Sequence, residues 1–324
     1  MLSVVRGSSP SPPIASDVVR ALQEARRCVG SIGGDAWTRV VRLRDPVELV
    51  RGRCQPVISR AYFKLCEMRR LIPSSDVSSA LFLCEAPGGF YQAAGRMFPD
   101  AKRVATSLEH TSPRFHRLVP CDDVVTGLPS KGDIRDVETI DALVALLGPN
   151  SFDLVTADGG IGHDDLDMVE QGSIGLLIGQ VVAMLRLTRE GGSCVIKIFE
   201  GSNRATRDVV SVLRKLFAGI HLCKPRTSKA ANSERYLIAN GLLNVSYASS
   251  VADDLSGVLQ VPYPLAILDH PDEDIGKAFD ALAVKQTQEL HLLINAAQKG
   301  GAEVKEVASL ARHEADWLCR HVSF

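Results

Sequence analysis

Residues 82–94, "FLCEAPGGFYQAA", contain the turn on which the fold of this chain depends. An apolar, strand-like run ends at Glu85, passes through Pro87, Gly88 and Gly89, and continues in a helix-compatible pattern. A strand that ends in glycines and leads into a helix is a common way to hold a nucleotide-like ligand. An ordinary strand-to-helix turn has the same local pattern, so the rest of the sequence has to distinguish the two.

The composition is that of a chain that folds around a substantial core. Of its 324 residues, 45% are hydrophobic and 23% are charged. The eight cysteines are scattered and none forms a C-x-x-C pair. This favours reduced thiols in an intracellular protein, cytoplasmic or nuclear, over a disulfide framework or a zinc site. No stretch is long and apolar enough to span a bilayer, so we expect no membrane association.

The formal net charge of −1 conceals an uneven distribution. Residues 1–70 carry thirteen lysines and arginines against six acidic residues, whereas residues 251–324 carry twelve acidic residues against six basic ones. A basic segment on a nearly neutral protein indicates a local track for a polyanion, although a solvated arginine-rich helix has the same composition. The acidic end of the chain is a poor surface for RNA, and we expect it to lie away from such a track.

The pattern along the chain predicts an α/β fold with extensions at both ends. Apolar strand-like runs alternate with helical runs, notably over 166–188 and 204–217, which predicts a doubly wound, mostly parallel sheet. Ligands of such sheets bind beyond the carboxyl ends of the strands. The predicted organisation is a disordered tail over 1–16, a basic helical extension over 17–75 with a helix from residue 17 to about 29, the sheet domain over 76–250, and an acidic extension over 251–324 in which a loop-rich connection precedes helices over about 273–298 and 302–320.

Five motifs in a fixed order identify a family. They are "SRAYFKL", "LCEAPGGF", "FDLVTADGG", "GGSCVIKIFEG" and "KPRTSKAANSERYLIANG". Together they resemble the FtsJ-type ribose 2′-O-methyltransferases over roughly residues 45–242, most closely the mRNA cap branch of eukaryotes and large DNA viruses. The resemblance implies a seven-stranded Rossmann-like sheet and a catalytic Lys-Asp-Lys-Glu tetrad, carried here by Lys64, Asp158, Lys197 and Glu234.

The chemistry of ribose methylation gives this tetrad a role. A 2′-hydroxyl is a poor nucleophile, so an enzyme must align it with the methyl group and remove its proton as the bond forms. A lysine can accept that proton only if its pKa falls well below the free value of about 10.4, which burial and a second ammonium group both promote. In this interpretation Lys197 is the base, Lys64 supplies the second charge, and Asp158 and Glu234 orient both. Each residue alone has an ordinary explanation, such as a turn or a surface ion pair.

The resemblance also implies S-adenosylmethionine as the cofactor. Gly88 and Gly89 would let the backbone approach its methionine end, and Glu85 would accept a hydrogen bond from its ammonium group. Asp133 in "KGDIRD" is expected to bind the adenine amino group, and Glu109 is the candidate for the ribose. The full set of expected cofactor residues is Glu85, Ala86, Pro87, Gly88, Gly89, Phe90, Glu109, Asp133 and Asp158.

Residues for RNA are predicted from charge and from their place in the chain, because Lys64 and Glu234 must both reach the active site. The expected RNA contacts are Arg51, Arg53, Arg60, Lys224, Arg226, Lys229, Asn232 and Ser233. Trp37 and Trp317 are candidates for stacking on a base or on the cap guanine, although isolated aromatic residues more often pack internally. No cluster of His, Cys and Asp has convincing ligand spacing, not even "GHDDLD" at 162–167, so we expect no metal.

Three functions remain open from the sequence. The leading one is methylation of a cap-proximal ribose in the 5′ end of capped mRNA, with a capping-complex or polymerase partner contacting the C-terminal helices. A methyltransferase for ribosomal or transfer RNA is the rival within the same class. A non-catalytic RNA-binding or scaffold subunit is the rival from another class, and such a protein would be expected to have lost a member of the tetrad.

Overall fold

The computed structural model describes residues 5–6, 14, 16–53, 56–73, 77–109, 112–161, 169–259, 261 and 264–322. The strands are β1 (Val5–Arg6), β2 (Ser79–Leu83), β3 (Lys102–Thr106), β4 (Val124–Val125), β5 (Phe152–Ala157), β6 (Thr188–Ile198), β7 (Phe217–Cys223), β8 (Arg235–Leu242) and β9 (Pro264–Ala266). The helices are α1 (Asp17–Gly30), α2 (Gly34–Leu43), α3 (Pro46–Val50), α4 (Ala61–Met68), α5 (Gly89–Met97), α6 (Val137–Leu147), α7 (Val169–Leu187), α8 (Arg204–Leu216), α9 (Val245–Leu259), α10 (Glu273–Lys299) and α11 (Gly301–His321).

Seven strands form one twisted sheet in the order β4-β3-β2-β5-β6-β8-β7. The neighbours from β4 to β6 run parallel, and β8 lies antiparallel between β6 and β7. The predicted doubly wound, mostly parallel α/β sheet is therefore confirmed. The carboxyl ends of β2, β3, β5 and β6 meet at one edge, which we call the carboxyl edge.

The apolar runs explain why these segments form central strands. Every residue of β5 is buried, as expected for a parallel strand covered on both faces. In β2 the side chains alternate between two cores: Leu81 and Leu83 belong to the one formed with α7 and α8, whereas Ala80 and Phe82 belong to the one formed with α4 and α5. The helices thus cover both faces of the sheet.

Two local expectations from the sequence are corrected. Residues 251–259, the start of the connection expected to be loop-rich, belong to α9, and residue 250, the expected domain boundary, lies inside this helix. Its buried residues are Ala248, Val251, Ala252, Leu255 and Val258. Their spacing is that of one helical face, which packs on α7. The Gly-rich segment after α1 is also followed directly by α2, a helix that was not predicted from the sequence.

The predicted disordered tail lies mostly outside the described residues. Within 1–16, Val5–Arg6 pair with Pro264–Ala266 as the short β1–β9 ladder, and the Ile14 N–H donates to the Ser202 carbonyl at 2.7 Å. None of the described helices combines the length and the apolar composition needed to cross a bilayer.

The two extensions pack against each other beside the sheet. Helix α10 contacts α1 and α2, and α11 contacts α2 and α3. Arg44, at the end of α2, is buried and donates to Glu289 at 2.6 Å and to Glu314 at 2.7 Å, so a single guanidinium joins α2, α10 and α11. Leu290 of α10 packs in the same apolar cluster as Leu22 of α1. The acidic extension is therefore part of a joint helical layer with the basic one.

Candidate active site at the carboxyl edge of the sheet

Lys64, Glu234 and Tyr236 form a buried hydrogen-bonded group at the carboxyl edge. Lys64 Nζ, on α4, donates to Glu234 Oε2 at 3.0 Å and to the Tyr236 hydroxyl at 3.1 Å. The Tyr236 hydroxyl donates to Asp158 Oδ1 at 2.6 Å, and Ser228 Oγ donates to Glu234 Oε1 at 2.7 Å. Glu234 directly precedes β8 and Tyr236 lies two residues further on, so both side chains leave the strand on one face. The network joins α4, β8 and the end of β5.

Lys197 completes the group from the neighbouring strand. It lies near the end of β6, directly opposite Tyr236 in the ladder with β8. Its Nζ donates to the Asp158 carbonyl oxygen at 2.8 Å and lies 3.5 Å from Asp158 Oδ1. All four residues predicted as the tetrad are therefore brought together, and each comes from a different element or loop.

The ionisation of two members follows from burial and neighbouring charge. Burial alone would raise the pKa of Glu234, but the ammonium groups of Lys64 and Lys197 lower it to about 2. Burial, together with the negative charges of Asp158 and Glu234, raises the pKa of Tyr236 well above its ordinary value. At neutral pH Glu234 is therefore ionised, and Tyr236 keeps the proton that it donates to Asp158.

The turn formed by Pro87, Gly88 and Gly89 leads into the start of α5. Gly88 has a φ of 114°, in the left-handed region that favours glycine, and an added Cβ there would meet the Val119 side chain. A Cβ on Gly89 would lie 2.8 Å from Ala61 Cβ at the beginning of α4. The second glycine is thus required by the packing of α4, the helix that carries Lys64. This internal reason exists whether or not a ligand approaches the turn.

Glu85 is held inside this turn. It is 4% exposed, and its Oε1 accepts a hydrogen bond from the Tyr91 backbone N–H at 2.9 Å. Burial raises the pKa of Glu85 well above its ordinary value, and the charge of Asp158 adds to this increase. The hydrogen bond from Tyr91 acts in the opposite direction but is outweighed. A buried carboxyl next to another acid is a suitable neighbour for a cationic ligand group, because the positive charge would favour its ionised form.

The other expected cofactor residues lie in the turn after β2, in the loop after β3 and in the segment before α6. Asp133 forms a bidentate pair with Arg135. Burial would raise the pKa of Asp133, but its hydrogen bonds with Arg135 lower it below the ordinary value. Glu109 follows β3 and accepts a hydrogen bond from the Gly127 N–H at 2.6 Å. Ala86, Pro87 and Phe90 belong to the same turn as Glu85. Within the protein, Asp133 and Glu109 thus already have partners, and of these three acids only Glu85 is buried.

A pocket of about 460 Å³ opens beside Lys197. From the sheet domain it is lined by Gly160, Lys197, Phe199 and residues 231–234. The expected RNA contacts Asn232, which is exposed, and Ser233 both belong to this lining. Further walls come from α1, α2 and α10, through Arg26, Val29, Trp37 and Leu290.

The expected RNA-binding residues divide into two groups. Arg51, Arg226 and Lys229 are exposed. Arg60 is occupied within the protein, where it pairs with Asp45 and donates to the Thr227 carbonyl at 3.0 Å.

Lys224 is also bound internally. Its Nζ donates to the carbonyls of Asn232 at 2.6 Å and Glu234 at 3.1 Å, which closes the loop before β8. Arg60 and Lys224 therefore hold the loop in place and offer little free charge to RNA. The side chain of Arg53 lies outside the described residues.

Two residues with a structural role in the site, Tyr236 and Glu67, were not predicted. Tyr236 bridges Lys64 and Asp158, and its position two residues after Glu234 was a usable signal. Glu67, one turn after Lys64, accepts hydrogen bonds from the backbone N–H groups of residues 226 and 227, each at 3.0 Å. Trp317, a candidate for stacking on a base, lies under the guanidinium of Arg226, with 3.9 Å between the guanidinium carbon and the ring centroid.

Metal ligands are not assembled in the described part of the chain. No group of three or more His, Cys, Asp or Glu side chains there is arranged to hold an ion. The acidic segment at 162–167 falls in 162–168, outside the described residues.

The sheet order and the position of the site define a Rossmann-like α/β protein with a polar site at its carboxyl edge. More specifically, residues 57–242 match the FtsJ-like methyltransferase family. This match covers more than half of the chain, and the chain belongs to that family.

Named relatives act on two kinds of RNA. A cap-specific mRNA (nucleoside-2′-O-)-methyltransferase 1 from Leishmania braziliensis is 40% identical over 114 residues, 35% of this chain and 29% of that protein. A ribosomal RNA large subunit methyltransferase E from Zymomonas mobilis is 30% identical over 211 residues, 64% of this chain and 88% of that protein. The cap-specific mRNA (nucleoside-2′-O-)-methyltransferase of Autographa californica nuclear polyhedrosis virus is 26% identical over 64% of this chain and 81% of its own. The chain spans less than half the length of the trypanosomatid relatives that it matches.

Proposed function

We propose that this protein is an mRNA cap ribose 2′-O-methyltransferase in which Lys197 removes the proton from the 2′-hydroxyl of a cap-proximal nucleotide. The observation that carries the proposal is the position of Lys197, which lines the pocket at the carboxyl edge while Asp158 holds its ammonium group. Lys64, Asp158, Lys197 and Glu234 act together as a catalytic tetrad.

The two lysines have different surroundings, and this supports different roles. Lys64 is buried, and its hydrogen bonds go to Glu234 and Tyr236. It acts as a fixed positive charge beside Lys197. Lys197 is partly exposed to the pocket, where it can reach a substrate hydroxyl. Removing the proton from the 2′-oxygen is general-base catalysis, which requires the base within hydrogen-bond reach of that oxygen.

S-adenosylmethionine supplies the methyl group when it is bound. The residues that would hold it are Glu85, Gly88, Glu109, Asp133 and Asp158, which lie at the ends of β2, β3 and β5 and before α6. Glu85 would face its ammonium group, and Asp133 its adenine amino group. Asp158, which already contacts Lys197, would also be one of the residues that hold this cofactor.

The RNA path that we propose follows the exposed basic residues around the pocket. Arg226 and Lys229 lie in the loop before β8, with Asn232 and Ser233 at the pocket itself, and Arg51 follows α3. Binding of a capped mRNA 5′ end is supported by the names of the trypanosomatid and baculovirus relatives. A capping-complex or polymerase partner on the outer face of α10 and α11, and an intracellular location, stay predictions.

A second candidate is methylation of ribosomal RNA. It is favoured by the Zymomonas relative, of which the match covers 88%. A non-catalytic RNA-binding role is less well supported, because all four tetrad residues are present and Tyr236 links the Lys64–Glu234 pair to the Lys197–Asp158 pair.

Transfer of labelled methyl groups to capped and uncapped copies of one short RNA tests the proposal. We expect methylation of the capped RNA only, at a 2′-oxygen close to the cap. Equal methylation of the uncapped copy, or a preference for ribosomal RNA fragments, would overturn the cap assignment in favour of the second candidate. No transfer to any RNA would contradict an enzymatic role.

A further inference from the structure

The pocket beside Lys197 is completed by helices that lie outside the family match. Arg26 and Val29 belong to α1, Trp37 to α2 and Leu290 to α10, whereas the match begins at residue 57 and ends at 242. The pocket at the carboxyl edge is therefore enclosed in part by segments that lie outside the matched residues 57–242.

The pocket wall is fixed to the strand that carries Lys197. Arg26 of α1 forms a buried bidentate pair with Glu200, three residues after Lys197. Trp37 of α2 packs in one cluster with Leu290 of α10 and with Ala231 of the loop before β8. These contacts hold the extensions at a set position relative to Lys197.

The chemistry of the lining suits a nucleobase. Val29, Trp37, Phe199 and Leu290 are apolar or aromatic, and Asn232 supplies an amide that can both donate and accept hydrogen bonds. Proteins that bind single-stranded RNA commonly stack a base on an aromatic side chain and contact its edge with a few polar groups. A pocket of about 460 Å³ is within the usual range for a small organic ligand.

The position of Lys197 indicates which base this is. In a nucleotide the base is attached to C1′, the carbon next to the one that bears the 2′-hydroxyl. The base of the acceptor nucleotide is therefore the base nearest to Lys197 when its 2′-oxygen meets that lysine. Resting on the proposed function, we infer that the two extensions form the acceptor-base pocket and that Trp37 is the surface on which the base of the methylated nucleotide stacks.

A comparison of two RNAs with two proteins tests this inference. The acceptor nucleotide is first located by mapping the methyl group that the wild-type protein introduces. Binding of that RNA, and of a copy lacking only the acceptor base, is then measured with S-adenosylhomocysteine present so that no transfer occurs. We expect loss of the base to weaken binding to the wild type by about 5- to 150-fold, the range for one base–aromatic stack. Trp37→Ala should bind both RNAs equally.

Two further variants separate stacking from folding. Trp37→Leu keeps an apolar side chain against α10 and should fold, yet lose the discrimination between the two RNAs. Trp317→Leu replaces the chain's other tryptophan, which lies under Arg226, and should keep that discrimination. Full discrimination in a folded Trp37→Leu protein would overturn the inference. So would sensitivity to removal of the cap guanosine instead of the acceptor base. Absence of methylation by the wild type would instead count against the proposed function.

Discussion

Lys64 and Lys197 are chemically identical side chains that the fold places in different surroundings. Lys64 is enclosed by Glu234 and Tyr236, whereas Lys197 reaches the pocket from the end of β6. The sequence placed both in one site through a family resemblance. The separate roles that we propose for them rest on burial and hydrogen bonding, which depend on contacts between residues that are far apart in the chain.

Replacement of Lys197 tests its role as the base. Lys197→Ala should lower the rate of methyl transfer by about 10²- to 10⁴-fold, the usual contribution of a general base. Lys197→Arg should be almost as damaging, because arginine does not lose its proton at ordinary pH. Cofactor affinity, measured by calorimetry, should change little. Retention of most of the transfer rate would remove Lys197 from the chemical step.

Gly160 leaves space for the Lys197 side chain. A Cβ on this glycine would lie 2.7 Å from Lys197 Nζ, closer than such atoms normally approach. We expect Gly160→Ala to displace the ammonium group and to lower kcat by about ten- to a hundredfold, since small misplacements of a reacting group are costly. The control is Gly175→Ala on α7, where a Cβ meets nothing within 4 Å. Equal kcat values for the two variants would contradict this explanation.

The raised pKa of Glu85 predicts a pH dependence of cofactor binding. In the protein without ligand, burial keeps Glu85 protonated at a pH where a free glutamate is ionised. A bound ammonium group favours the ionised carboxylate, so binding releases a proton at pH values between the lowered pKa of the bound state and the raised pKa of the free protein. Affinity should therefore rise with pH up to that pKa and then level off.

Calorimetry in buffers of different ionisation enthalpy measures the proton released by this binding. Glu85→Gln should bind more weakly, release no proton and show no such pH dependence. The same pH dependence in the variant and the wild type would mean that Glu85 serves only the start of α5.

At the scale of elements, β2 and β5 are joined by Asp153 at the amino edge of the sheet. Its Oδ2 accepts hydrogen bonds from the N–H groups and hydroxyls of Ser78 and Ser79 at 2.8 to 2.9 Å, and Arg189 pairs with its other oxygen. Burial would raise the pKa of Asp153, but these partners lower it to about 2. The side chain of Asp153 thus holds the two central strands in register at the end of the sheet opposite the carboxyl edge.

The lowered pKa makes this clamp sensitive to acid. Because the pKa of Asp153 is lower in the folded state, its stabilisation is fully present above pH ~4 and is lost as the pH falls through ~2. Asp153→Asn should lower the free energy of unfolding by about 2 kcal/mol at neutral pH. In this variant the free energy of unfolding should also fall less steeply than in the wild type between pH ~4 and ~2. Urea unfolding across that range measures both effects. Asp141→Asn, an exposed partner of Arg186, is the control and should cost less than about 1 kcal/mol. Equal free energies of unfolding for the two variants across this pH range would contradict the role of Asp153 as a clamp between the strands.

The central strands were predicted from the sequence more accurately than helix α9, for a physical reason. Strongly apolar runs such as 152–157 and 194–198 are strands because they are covered on both faces, and that property is visible in the sequence. From residue 251 onward, α9 lies in the part of the chain that was expected to be a loop-rich connection, and it contains Ser, Asp and Gly residues, which favour a helix weakly. Its buried face on α7 outweighs those weak propensities, and this packing exists only in the folded chain.

At the scale of the whole molecule, the site depends on both ends of the chain. The acidic extension is predicted from its charge to lie away from the RNA. In the structure, α10 of this extension contributes Leu290 to the pocket and packs on α1. We therefore expect removal of α10 and α11 to weaken RNA binding, because Arg44 would lose Glu289 and Glu314 and the pocket would lose a wall.

The proposed RNA path has a measurable electrostatic signature. Replacing Arg226 and Lys229 together by alanine should lower the slope of log affinity against log salt by about 0.7 for each single-strand phosphate that these side chains neutralise. Lys102→Ala is the control, because Lys102 is exposed at the amino end of β3, on the opposite edge of the sheet. An unchanged slope in the double variant, or an equal change with Lys102→Ala, would place the RNA elsewhere.

The sequence by itself determined the doubly wound sheet, the family and the four residues that meet at the carboxyl edge. These follow from local signals: apolar runs set the strands, glycines set the turn, and motif order sets the family. Only the tertiary structure decided that Arg60 and Lys224 are bound internally, that Tyr236 bridges Lys64 to Asp158, and that Trp37 and Leu290 close the pocket. Those facts depend on which distant side chains become neighbours, and burial and charge pairing between them have no counterpart in the local pattern.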